Sequence, residues 1–144
     1  MTTQNYENHA QFVPMFHFVL AGILFLTMIG SVVNLVKSIG DHQRLYSAAL
    51  LVVLTFCMSM LYYYTRTFPL KAQDRAIRAE ENLRHFVLTG KLLDRRLTMR
   101  QIIALRFASD DEFAELAAKA ADGNMPADAI KRAVKNWRAD YDRA

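Results

Sequence analysis

Apolar positions run together in the first half of the chain and recur at helical spacing in the second. Residues 14–36 and 45–65 contain no Asp, Glu, Lys or Arg, and only the short polar connector 37–44 separates them. A helix rises about 1.5 Å per residue, so each stretch reaches roughly 30 Å, the hydrocarbon thickness of a bilayer. The pattern predicts a two-span transmembrane hairpin. Pro14 suits the first turn of the first span, where its missing N–H would be unpaired anyway. Phe12, Phe16, His17 and Phe18 gather at this end and Tyr62, Tyr63 and Tyr64 at the end of the second span, as rings at a headgroup boundary do.

Within the spans, Thr27, Ser31, Asn34 and Ser38 recur at steps of four, three and four with Gly30 beside them, while Ala48, Thr55 and Ser59 share one face of the second helix. Lipid gives helices no hydrophobic reason to associate, so small and hydroxyl-bearing residues mark contact faces. Those two stripes are the expected packing face, inside one hairpin or between copies. A proton path would need ionisable groups at depth, and the spans hold none of Asp, Glu, Lys or Arg.

Past the second span, Phe68-Pro69 is expected to bend or restart the helix, after which Ala76, Ala79, Leu83 and Phe86 repeat at three and four as far as Gly90, a residue suited to a helix C-terminus. Thr98 with Gln101, and Ser109 with Glu112, read as capping boxes. The second is favoured further because Asp110, Asp111 and Glu112 oppose the helix dipole. Its helix should bury Phe113, Leu116, Ala117 and Ala120 and stop near residues 122–124. Pro126 should open a last helix whose apolar stripe, Ile130, Val134, Trp137 and Tyr141, docks the tail, with Lys131, Arg132, Lys135 and Arg138 as its basic face. No strand pattern competes. The fold class is therefore all-α, divided into an arm (1–13), a transmembrane hairpin (14–66) and a small multi-helix cytoplasmic tail (67–144).

Charge orients the hairpin. The 144-residue chain has a formal charge of +4, with no Lys or Arg before Lys37, two in the connector (Lys37 and Arg44) and the remainder from Arg66 onward. Cations close to a span stay on the cytoplasmic side, which places the tail, and with two spans also the N-terminus, inside the cell. Arg66, Lys71, Arg75 and Arg78 could each gain about 1 kcal/mol beside anionic lipid. This bias accounts for the basic isoelectric point, so nucleic acid is not an expected partner.

Little else points to chemistry. Cys57 is the only cysteine, which excludes an internal disulfide and a Cys-rich metal site. His9, His17, His42 and His85 are scattered, and none stands three or four residues from another. The five glycines build no phosphate-cradling loop, and no nucleophile motif is present. No catalytic residue, metal or cofactor is expected.

Gln4-Asn5-Tyr6-Glu7-Asn8-His9 with Pro14 and Phe16-His17, the run 97–113 and the run 130–141 together resemble an uncharacterised bacterial family of small two-helix membrane proteins, a domain of unknown function. The resemblance implies a membrane hairpin with a helical tail, and it brings no activity, cofactor or catalytic residue; the expected location is the bacterial inner membrane. The expected role is that of a non-enzymatic accessory or self-assembling, homo-oligomeric subunit, or part of a larger membrane complex. A membrane-tethered regulator whose tail binds a signalling partner or nucleic acid is the alternative, and an oligomeric pore is a third.

Overall fold

The computed structural model describes residues 4–8 and 13–140. It is all-α: a π-helical turn (Met15–Leu20) leads into α1 (Ala21–Lys37), followed by α2 (His42–Thr89), α3 (Met99–Leu105), α4 (Asp110–Asp122) and α5 (Ala127–Ala133). The chain forms two compact units. One is the hairpin up to Phe68; the other joins the chain from Pro69 onward with residues 4–8 of the arm.

In the hairpin, the Ser38 and Ile39 amides bond back to the last carbonyls of α1, and Gly40 takes φ 97°, a left-handed turn that a side chain would resist. Asp41 then starts α2: its Oδ1 accepts the amides of Gln43 and Arg44, which have no partner inside the helix. The two helices bury matching faces. Leu24, Met28, Ser31, Leu35 and Ser38 on α1, and Leu45, Ala48, Val52, Thr55, Ser59 and Tyr62 on α2, are buried or half-buried. Both series alternate steps of four and three, the 3.5-residue repeat of a left-handed supercoil. Met15–Lys37 and His42–Thr89 are each long and apolar enough to cross a membrane.

α2 does not restart at Pro69. The imino acid deprives the Thr65 carbonyl of its usual donor, yet helical structure continues to Thr89, and Gly90 ends it at φ 72°. In the second unit, Ile77 of α2 packs into a core with Leu93, Leu97, Leu105, Phe113, Leu116 and Ile130. Thr98 makes a complete capping box: its hydroxyl accepts the Gln101 amide while Gln101 Oε1 accepts the Thr98 amide at 2.7 Å. Gln101 Nε2 also donates to the Met125 carbonyl at 2.9 Å, which ties the loop after α4 to α3.

Two expectations for the tail are corrected. Ser109 is the N-cap of α4, but its hydroxyl makes no capping bond, and Glu112 does not reach back to it. The Glu112 carboxylate instead accepts the amides of Lys135 and Asn136. The last helix is also shorter than the apolar spacing suggests. It ends at Ala133, Val134 turns extended, and Trp137 pairs with Ala108 in an isolated β-bridge. Ser109 donates its amide to the Asn136 carbonyl and Arg138 donates to the Phe107 carbonyl at 2.8 Å. These bonds to a neighbouring segment, with those to Glu112, replace the i→i−4 bonds that a longer helix would make.

Candidate functional site

Two features stand out, one in each unit. In the hairpin, Ser31, Ser38, Ala48 and Thr55 are buried and Ser59 is half-buried, whereas Thr27, Gly30 and Asn34 are exposed. None of the hydroxyls reaches across. Thr27 donates to the Ile23 carbonyl, Ser31 to Met28, Ser38 to Asn34, Thr55 to Leu51 and Ser59 to Thr55, each within its own helix. Their contribution to the seam is small size, with the polar group already satisfied. The cross-helix anchor is Tyr62, whose ring stacks on Phe16 at 4.5 Å and whose hydroxyl donates to the Phe16 carbonyl at 3.2 Å. Close by, Ala21, Leu24, Phe25, Met28, Ser59 and Tyr62 line a 240 Å³ apolar hollow.

Away from the seam the hairpin is covered by large apolar side chains facing outward. Phe25 and Leu26 on α1 and Leu54 and Phe56 on α2 are all more than half exposed. In the most apolar stretch of each helix only 6% and 11% of the residues are buried. Cys57 is exposed as well.

The tail unit is organised around Arg84. Its guanidinium donates to Glu81 Oε2 at 3.0 Å, to Asp110 Oδ1 at 2.7 Å and to the Ala108 carbonyl at 2.7 Å, and its face lies 4.3 Å over the Phe113 ring. Glu81 is buried and also meets Arg138 at 3.6 Å; buried Arg106 pairs with Asp140 at 3.2 Å. A buried charge needs an opposite charge and hydrogen bonds to offset lost hydration: Glu81 has both from Arg84, while Arg106 has the Asp140 carboxylate and the face of the Phe107 ring at 4.6 Å. Gln73, Glu80, Glu81, Arg106, Arg138 and Asp140 border a polar cleft of 490 Å³. The Glu81–Arg138 pair joins α2, and the Arg106–Asp140 pair the end of α3, to the C-terminal segment. Among the described residues no three His, Cys, Asp or Glu side chains gather as a metal ion would require.

The predicted docking residues divide. Ile130 and Val134 are buried in the tail core, Trp137 packs on Phe107 at 4.8 Å, and Tyr141 lies outside the described residues. The predicted basic face is not one face: α5 carries Lys131 and Arg132, whereas Lys135 lies in the bend after it and Arg138 beyond the Trp137 bridge. Arg132 pairs with Asp128 at 2.9 Å and lies over the Tyr6 ring, and Lys131 lies 5.9 Å over Phe107. Arg66 is half-buried, and Lys71, Arg75 and Arg78 are exposed on α2.

Sequence reasoning missed Glu81, Arg84, Arg106 and Asp140 as a network. The i,i+3 spacing of Glu81 and Arg84 is the only local signal for it. It also missed the arm. Tyr6 donates its hydroxyl to Asp128, which raises the phenol pKa and, with Arg132 helping, holds the Asp128 carboxyl below its ordinary range. In the connector after α2, the Arg96 side chain and backbone amide lower Asp94 to about 2, while Arg96 also bonds Asp122 at 2.8 Å.

No curated protein and no solved structure matches the chain. A family model matches residues 1–144, and the chain therefore belongs to the DUF6526 family, a family of unknown function.

Proposed function

We propose that the protein is a non-enzymatic integral protein of the bacterial inner membrane, anchored by the hairpin with both ends in the cytoplasm, and that it serves as a self-assembling or accessory subunit. The observation that carries this reading is the outward apolar surface of the hairpin. Two helices with Phe25, Leu26, Leu54 and Phe56 turned outward cannot rest in water without cover, and contiguous apolar patches of that extent mark membrane or protein contact. Backbone groups in a lipid core must be satisfied internally, a condition that helices meet. The hydroxyls on the seam follow suit by bonding their own helix.

The arm supports the shared side of the two ends. It carries no cation to orient itself, but Gln4 and Tyr6 are hydrogen-bonded to Asp140 and Asp128 within the tail unit. Cations of the tail, such as Arg84, Arg106 and Arg132, are engaged in internal pairs, which favours docking of the tail's own elements over capture of nucleic acid.

The test is the mass and composition of the particle extracted from native membranes in mild detergent or a lipid disc. A homogeneous multiple of the 16.5 kDa chain, or a fixed ratio to another membrane subunit, is the expected result. A chain recovered in the soluble fraction would contradict it.

A further inference from the structure

Ala72, Ala76, Ala79, Leu83 and Phe86 alternate at steps of four and three along α2, and all five are exposed. At 100° per residue they lie opposite Ile77, Glu81 and Arg84, the face that α2 turns into the tail core. The tail unit therefore uses one side of this helix for its own core and leaves exposed a second 3.5-residue seam, about 21 Å long, with Ala76 and Glu80 at the border of the cleft that Arg106, Arg138 and Asp140 line. In heptad terms Ala72, Ala79 and Phe86 take d and Ala76 and Leu83 take a. Arg75 then falls at g and Glu80 at e of the next heptad. Among the described residues neither has an ion-pair partner in its own chain, although their neighbours Glu81 and Arg84 do.

We propose that this seam is a self-association surface on which a second copy of the chain packs in parallel, with Arg75 of one copy beside Glu80 of the other. In a parallel pair, g of one helix faces e of the following heptad on its partner, which sets Arg75 against Glu80 twice by symmetry. An antiparallel pair sets g against g and e against e and gives neither residue an opposite charge. The parallel choice rests on the membrane reading, because copies inserted with one topology send this part of α2 out on the same side. The three alanines allow close approach of the backbones, and Leu83 and Phe86 supply most of the apolar area. A seam this short is weak alone, and confinement of both copies in one membrane raises its effective concentration. Glu80 argues against a lipid surface as the occupant, since it places an anion on one edge of the face where anionic headgroups favour cations.

The experiment is disulfide trapping of the full-length chain in native membranes, with Cys57→Ser as background and single cysteines at Ala76→Cys, Ala79→Cys and, off the seam, Arg78→Cys. Dimer trapped several-fold more at positions 76 and 79 than at 78 is expected. Arg75→Glu and Glu80→Arg, each placed in the Ala79→Cys background, should each lose most of that dimer. Co-expressing the two should restore it as a mixed dimer, because every cross-pair is then opposite in charge. Equal trapping at all three sites, trapping mainly to a different protein, or no rescue by the mixed pair would overturn the proposal. Alkaline extraction of the same membranes separates the two ideas. A chain that resists extraction but shows no seam preference removes the seam alone, whereas an extracted chain that still traps in parallel removes the membrane reading and keeps the seam.

Discussion

Gln4 holds Asp140 through two hydrogen bonds: its side-chain amide donates to the Asp140 carbonyl at 3.4 Å, and its carbonyl oxygen accepts the Asp140 amide at 2.8 Å. The side chain thus imitates a short piece of strand and closes the beginning of the chain onto the extended segment near its end. Gln4→Ala removes both bonds, and Tyr6→Phe removes the bond to Asp128. At about 1 kcal/mol for a typical bond, each variant should make the arm several-fold easier to cleave. Limited proteolysis of the detergent-solubilised chain checks this, with the tail expected to stay intact.

Glu112 secures the same segment from the other side by accepting the amides of Lys135 and Asn136. Glu112→Ala leaves both donors without their charged acceptor, at a cost of about 1–3 kcal/mol. Hydrogen exchange at residues 135–138 should accelerate by about fivefold or more while α3 remains protected. Unchanged exchange would show that the Ala108–Trp137 bridge suffices alone.

Thr98→Ala opens the capping box of α3 and should destabilise the tail by about 1 kcal/mol, read as a lower denaturant midpoint in detergent. Phe113→Ala removes a fully buried ring beneath Arg84 and should cost about 3–5 kcal/mol by the same assay. The two effects differ in kind, since only the second also strips the guanidinium of the surface it rests on.

Acid should loosen the connector after α2. Asp94 titrates at about 2 in the folded chain against an ordinary 3.8, so the unfolded chain binds its proton first as pH falls. The stabilisation from its pairing with Arg96 is complete above 3.8 and is lost progressively between 3.8 and 2. Asp128 is shifted in the same direction by Tyr6 and Arg132. Asp94→Asn should flatten the acid dependence of protection around Leu93 and Leu97, measured by exchange at a series of pH values.

Much of the helical plan was legible from residue spacing, because long apolar runs, a Thr98–Gln101 capping box and Gly90 are local signals. The seam of the hairpin was less so. Thr27 and Asn34 share a polar stripe with Ser31 and Ser38, yet the buried series runs through Leu24, Met28 and Leu35, which have no polar group to set them apart from the outward-facing apolar residues around them. Val134 and Trp137 continue the spacing of Ile130, but spacing cannot reveal that Glu112, Ser109 and Phe107 offer their backbone partners elsewhere. The Arg84 network was hidden for the same reason: Asp110 reads as a capping acid until the fold brings a guanidinium to it.

The most direct test of the membrane-hairpin account is cysteine accessibility in intact cells, using Cys57→Ser as background and single cysteines at Asp41 in the connector, Asn8 in the arm and Asp111 in the tail. A membrane-impermeant maleimide should label position 41 from outside and reach positions 8 and 111 only after permeabilisation. Labelling of 8 or 111 in intact cells, or protection of 41, would contradict a hairpin with both ends in the cytoplasm.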